Sequence, residues 1–282
     1  MRFLTIFRYA LRGRLIQIIG WGASLAVLAA YLVMLHDAFI SQQAQFLGLM
    51  SAYPPEMMAA FGGTKDLFIP TGFLNFTYFS YMAVILGFMA LSAGSGLLAA
   101  DEERGRLDLL VAYPTSRLTL FTARLLALLC SLVLILFLSW LGFVLFSPGT
   151  GLKEVSAWEF ALPHLELLVF LFFFAGMALF FSQVLPSRST ATALAAAILL
   201  VSYLLKILVE LDNKLINLER LSPLHYIKGG YAIDGLNAGW VLGLLACGLL
   251  FTALAAWRFE RRDIRVSGEG NLPTWLRIGR RA

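Results

Sequence analysis

The sequence predicts an all-α integral membrane protein: six transmembrane helices, an N-terminal amphipathic helix ahead of the first, and a short cytoplasmic helix between the second and third. Three observations carry this. Hydrophobic residues make up 60% of the 282 residues and charged ones 14%, with a mean hydropathy of +0.80. Soluble domains carry about a quarter charged residues, so most of the burial here must come from a bilayer. The apolar residues fall into six runs near the ~20 residues that cross hydrocarbon. Finally, the basic residues gather in alternate connections, the pattern of a multi-pass protein.

At helical spacing, Arg2, Thr5, Arg8 and Arg12 share one side of Met1–Arg14, with Phe3, Leu4, Phe7, Ala10 and Leu11 on the other. That describes a basic amphipathic helix over 1–14, lying in the headgroup region. The four arginines in this stretch and the lack of a cleavage site after it argue against a removable signal. The predicted spans are Ile18–Leu35, Gly72–Leu98, Leu118–Phe146, His164–Leu185, Thr190–Val209 and Trp240–Trp257. Placing both termini in the cytoplasm puts 16 of the 22 basic residues on the inner side, including a basic tail over 258–282. The chain reads as a single membrane domain over 1–282, with no room for a second globular one.

The outer connections carry patterns of their own. Asp37–Met50 sets Ile40, Phe46, Leu47 and Met50 among glutamines; Tyr53-Pro54-Pro55 breaks it and Phe61-Gly62-Gly63 turns it. Ile207, Leu211, Leu215, Leu218 and Leu221 recur at steps of three and four, which predicts a helix dipping back or lying on the outer face until Ser222-Pro223. Ala90 with Gly94, and Gly239 with Gly243, are small-residue pairs suited to close helix approach, and the alanines from Ala191 to Ala197 make the fifth span slim at its start.

Chemistry-bearing groups are few. Within the predicted spans Arg124, Glu166 and Lys206 are the charges, each within about two turns of an end, where a long side chain reaches the interface. Span centres without ionisable groups give an ion-coupled carrier no relay. His36, His164 and His225 map near the outer surface; with Glu166 beside His164 they are the one cluster that a membrane-embedded lipid-modifying enzyme would have, and they do not reach the ligand number of a metal site. Cys130 and Cys247 sit in apolar runs, which suggests neither a disulfide nor a metal. A net charge of +5 spread this way points to membrane topology rather than nucleic acid. No G-x-S-x-G, H-E-x-x-H or G-x-x-x-x-G-K-[ST] occurs, so the chain has no P-loop for ATP of its own.

The densest signal is 99–117, and above all Asp101–Arg117, DEERGRLDLLVAYPTSR. Three acids suit the positive end of a helix dipole, and Arg104 and Asp108 are spaced to pair. Leu107, Leu109, Leu110 and Val111 form an apolar ridge. Pro114 ends the helix, and Thr115-Ser116 can cap the next. The product is a short helix with an apolar knob and charged flanks, held between two spans.

This E-E-x-G-x-L-[DE]-L-L-x-x-x-P-x-S-R pattern resembles the permease subunits of ATP-binding-cassette (ABC) transporters of type 2. The likeness extends to the amphipathic N-terminal helix, the six spans, the Leu221-Ser222-Pro223-Leu224-His225-Tyr226 segment and the Trp257-Arg258-Phe259-Glu260-Arg261-Arg262-Asp263 exit. Arg106 departs from it, standing where the family more often has threonine. The resemblance implies a permease at the cell's inner membrane, paired with a second permease chain, identical or a sister, and with two ATPase subunits that bind the ATP and magnesium. Asp101–Tyr113 would be the coupling helix. Asp101, Glu102, Glu103, Arg104 and Asp108 would supply its charged surface, Gly105 close approach, Leu107, Leu109 and Leu110 the groove contact, and Pro114 and Arg117 its exit. Met1–Arg14 would be a connecting helix beside it. Cargo of such permeases includes drugs, antibiotics, peptides and lipids, and some serve copper-enzyme maturation or self-resistance; the sequence selects none.

Overall fold

The computed structural model describes residues 2–50, 53–54, 67–103, 105, 115–211 and 213–261, and every regular element among them is helical. Helix α1 (Arg2–Arg12) turns at Gly13-Arg14 into α2 (Leu15–Ser41), which α3 (Gln43–Met50) follows. Helix α4 (Pro70–Leu74), a π-helical turn at Asn75–Phe79 and α5 (Ser80–Glu103) form one 34-residue rod. Then come α6 (Arg117–Phe146), α7 (Ala157–Val184), α8 (Arg188–Leu211), the short α9 (Ile216–Glu219), 3-10 turns at Pro223–Tyr226 and Gly229–Asp234, and α10 (Ala238–Arg261). Among the described residues six helical rods are long and apolar enough to cross a membrane: α2, α4–α5, α6, α7, α8 and α10.

Local chemistry sets several ends. Ser116 caps α6 as expected, its Oγ accepting the Thr119 N–H at 3.1 Å. Helix α7 starts at Ala157, seven residues ahead of the predicted His164, because Ser156 and Glu159 form a reciprocal capping box. Pro163 is carried inside that helix rather than opening it. Helix α2 likewise continues past Leu35 to Ser41, absorbing the first part of the segment expected to be an outer surface pattern. The helix expected from Ile207 to Leu221 is not continuous: α8 stops at Leu211, and a 3-10 turn at Asn213–Leu215 separates it from α9. Asn213 opens that 3-10 turn, and asparagine's short polar side chain competes with helical backbone bonds.

Helix α7 is the hub. It packs on α5, α10, α8 and α6, while α2 lies along α6 and α1 crosses the start of α6. In its most apolar stretch α7 is 72% buried, against 17% for α8 and 22% for α10, so those two form the rim. The close approaches rest on glycine. A Cβ on Gly94 would overlap the Ala175 carbonyl, and one on Gly142 the carbonyl of Ala26. At Gly176 a Cβ would stand 2.9 Å from the Gly248 oxygen. Ala90 is fully buried beside Gly94, so the first predicted small-residue pair is used. The second is not used among the described residues: Gly243 faces open space and Gly239 nears only the Asn237 side chain, because α10 buries the face of Leu244, Gly248, Thr252, Ala255 and Phe259, with Gly248 and Thr252 against α7. At the slim start of α8, Ala191 and Ala195 are buried and Ser95 Oγ bonds Thr192 Oγ1 at 2.8 Å.

Candidate functional site

The described helices sort their polar residues to two ends, and the arginines gather at one of them. There Arg124 sits on α6 and donates through Nη2 to Asp101 Oδ2 at 2.6 Å and through Nη1 to the Leu97 carbonyl at 2.9 Å. The ion pair fastens the last turns of α5 to α6. Arg124 therefore does not reach out to solvent as its place in the sequence suggested; its side chain is 11% exposed. Glu103, on the same turn of α5, accepts the Arg188 N–H at 3.1 Å and so marks the start of α8. Arg117 opens α6 and donates to the carbonyls of Phe259 and Glu260, at 3.2 and 3.4 Å, near the end of α10.

Both flanks of the Asp101–Arg117 connection are thus tied to other spans. Its entry contacts α6 and α8, and its exit contacts α10. Gly105 takes a positive φ of 65°, the conformation that stops an α-helix at a glycine, and its N–H donates to the Glu102 carbonyl. Of the expected coupling residues, Asp101 is bonded inward, Glu102 is buried and Glu103 is exposed. Arg104, Leu107, Asp108, Leu109, Leu110 and Pro114 lie outside the described residues. So does the basic tail beyond Arg261. Helix α1 occupies the stretch expected to be the connecting helix; Ile6 and Leu11 pack on the core, and Arg8 and Arg12 are exposed.

An open cavity of ≈1650 Å³ occupies this end between α1, α2, α5 and α6, reaching the first residue of α8. Arg12, Arg14, Arg124 and Arg188 line it together with Asp101, and Trp21, Phe88 and Met89 supply an apolar wall. Gly96 is what admits Arg188: a Cβ there would stand 2.9 Å from the guanidinium carbon.

The opposite end holds a second buried polar system that sequence reasoning missed. Glu166 was expected to reach the interface from near a helix start. With α7 beginning at Ala157 it lies nine residues in, about 14 Å along the axis, and is 1% exposed. Its Oε2 accepts the N–H groups of Lys228 and Gly229 at 2.8 and 2.9 Å, while Oε1 is buried without a hydrogen-bond partner among the described residues. Asn75, in the π-helical turn, accepts the Gly230 N–H at 3.1 Å, and Lys228 Nζ donates to the Gly235 carbonyl at 2.8 Å. Gly229 has φ 61°, and a Cβ on Gly230 would overlap the Asn75 and Thr71 backbone, so the 3-10 turn at Gly229–Asp234 is clamped into the bundle. The signal available in sequence was the Ser156–Glu159 spacing, which moves the start of α7 outward and Glu166 inward.

His164 also differs from expectation. It is buried, not interfacial. Its Nδ1 lies 2.8 Å from the Phe160 carbonyl and must donate to it, so Nε2 is free to accept from Ser139 at 3.0 Å, and Ser139 from Tyr78 at 2.6 Å. His36 is buried against Phe73 and bonds Asp37, which in turn accepts the Gly151 N–H at 2.8 Å. His225 pairs with Glu219 at 3.2 Å and packs on Trp240. The three groups that a lipid-modifying enzyme would combine, His164, Glu166 and His225, each belong to a separate network. Among the described residues no group of three His, Cys, Asp or Glu is placed to hold a metal ion.

Compared with known protein families, residues 4–264 match the family described as ABC-2 family transporter protein. No curated protein matches the chain. The match spans all six apolar rods and both flanks of the Asp101–Arg117 connection, the features that the sequence pattern shares with type-2 permeases. The chain therefore belongs to the ABC-2 transporter family, as a multi-pass membrane subunit of an ABC transporter.

Proposed function

We propose that this chain is the permease half of an ATP-driven exporter, moved by a separate ATPase that grips Asp101–Tyr113 from the cytoplasm. An ABC ATPase partner follows from the family. The observation that carries the finer reading is the anchoring of that connection. Asp101–Arg124 and Glu103–Arg188 join α5 to α6 and α8, and Arg117 joins the start of α6 to the Phe259 carbonyl of α10, all at one end of the bundle. A displacement of a few ångströms applied there is handed to four spans at once rather than absorbed in a loop.

In this reading two permease chains and two ATPases form the working unit, with ATP and magnesium held by the ATPases and cargo crossing by alternating access. The thinly buried faces of α2 and α8, with Val27, Tyr31 and Met34 on one and Leu200, Val201 and Leu204 on the other, are apolar surface for the second permease and for lipid. The arginine-rich end lies in the cytoplasm, following the positive-inside bias, in the inner membrane. The cargo is a drug, antibiotic, peptide or lipid-like molecule.

The test is co-purification. Leu109→Arg or Leu110→Glu should abolish association of the ATPase while the variant still inserts in the membrane. Undiminished recovery of the ATPase with either variant overturns the coupling role of Asp101–Tyr113.

A further inference from the structure

The cavity at the arginine-rich end has more positive charge than its own carboxylate can balance. Among the described residues four guanidinium groups line it, from Arg12, Arg14, Arg124 and Arg188, and Asp101 is the one acid. Asp101 is already engaged by Arg124 at 2.6 Å. Among the described residues neither Arg12 nor Arg14 has a carboxylate within ion-pair distance, and Arg14 is partly buried with the Arg124 charge close by. Two neighbouring guanidinium groups in a half-enclosed site repel each other unless an anion lies between them.

The other wall supplies the second half of the argument. Trp21, Phe88 and Met89 border the same cavity, and Phe88 is 36% exposed. An anion site next to an aromatic and thioether trough, at the end of a spanning bundle, matches one ligand chemistry. Arginine forks recognise phosphate oxygens in pairs, and basic pockets between spanning helices take anionic lipid headgroups.

We propose that this cavity binds an anionic phospholipid of the surrounding leaflet, its phosphate between Arg12, Arg14 and Arg124 and one acyl chain along Trp21, Phe88 and Met89. The inference needs only the helical bundle and stands apart from the coupling role of Asp101–Tyr113. Bound in this position, the lipid bridges α1, α2 and α5 beside the turn where Asp101 meets Arg124.

The experiment is native mass spectrometry of the full chain in detergent, titrated with phosphatidylglycerol, phosphatidylcholine and inorganic phosphate. The expected result is retention of phosphatidylglycerol at least roughly tenfold better than phosphatidylcholine: both carry the phosphate, but the choline cation cancels its charge and repels the guanidinium groups, a loss of about one charge-assisted contact. The Arg12→Gln/Arg14→Gln double variant should lose that preference. Equal retention of the two lipids, or a preference unchanged in the double variant, overturns the proposal. So does inorganic phosphate binding as tightly as the lipid, since the trough would then contribute nothing. Should the double variant fail to fold, a phosphatidylglycerol with a photoreactive acyl chain decides on the wild-type chain. Adducts on the Trp21 and Phe88–Met89 peptides support the site, and adducts confined to other spans overturn it. ATPase co-purification, measured on the same preparations, reports on coupling independently.

Discussion

Glu166 shows what one buried carboxylate does in this bundle. Removing the acceptor from two half-buried N–H donors leaves each unsatisfied, at up to about 3 kcal/mol apiece. Glu166→Ala should therefore lower the thermal unfolding midpoint in detergent markedly and release the turn at Gly229–Asp234 to protease, because the Lys228 and Gly229 amides lose their partner. Glu166→Gln keeps an acceptor oxygen and should retain most of the stability. The same variant separates structure from ion coupling: transport by Glu166→Gln that persists without a proton gradient excludes Glu166 as a carrier of protons. Gly94 makes the complementary case. Its neighbour is the Ala175 backbone, which cannot rotate away, so Gly94→Val should destabilise by about 1–3 kcal/mol or prevent folding. Gly243→Val, facing open space, should leave the unfolding midpoint unchanged.

At the scale of elements, capping decides where charges fall relative to the spans. The Ser156–Glu159 box fixes the start of α7 and with it the depth of Glu166 and His164. Ser156→Ala should cost about 1 kcal/mol and speed hydrogen exchange of the first-turn amides of α7. The π-helical turn at Asn75–Phe79 acts in the same way on the second span. It adds a residue to one turn and aims Asn75 at Gly230, and such turns often sit at functional positions. Neither the turn nor its partner was readable from sequence, because the Asn75–Gly230 contact joins segments 155 residues apart. The caps were readable: Ser116 was expected at the head of α6 and is there, and the Ser156–Glu159 spacing stands equally in the sequence.

Across the whole molecule, the flanks of the Asp101–Arg117 connection are where the proposed mechanical input would enter the bundle. Arg117 ties it to the far end of the chain through the Phe259 and Glu260 carbonyls. Arg117→Ala should leave ATPase association intact while transport per ATP hydrolysed falls at least roughly fivefold, the lower range of coupling between sites. Transport and ATPase measured on one reconstituted preparation check this; an unchanged ratio would remove Arg117 from the coupling path.

The amino-acid sequence alone determined the class of the protein, because a bilayer imposes run length, charge scarcity and charge asymmetry that are written residue by residue. It also marked Asp101–Arg117, a dense polar stretch set between two apolar spans. The tertiary structure alone decided how charges inside the bundle are satisfied. Arg124 turns inward to Asp101, Glu166 to two backbone amides and His164 to Ser139, where the sequence pointed each of them toward an interface. The reason is physical. Run length follows from local composition, whereas the partner of a buried polar group comes from a distant segment, and only the folded bundle brings the two together.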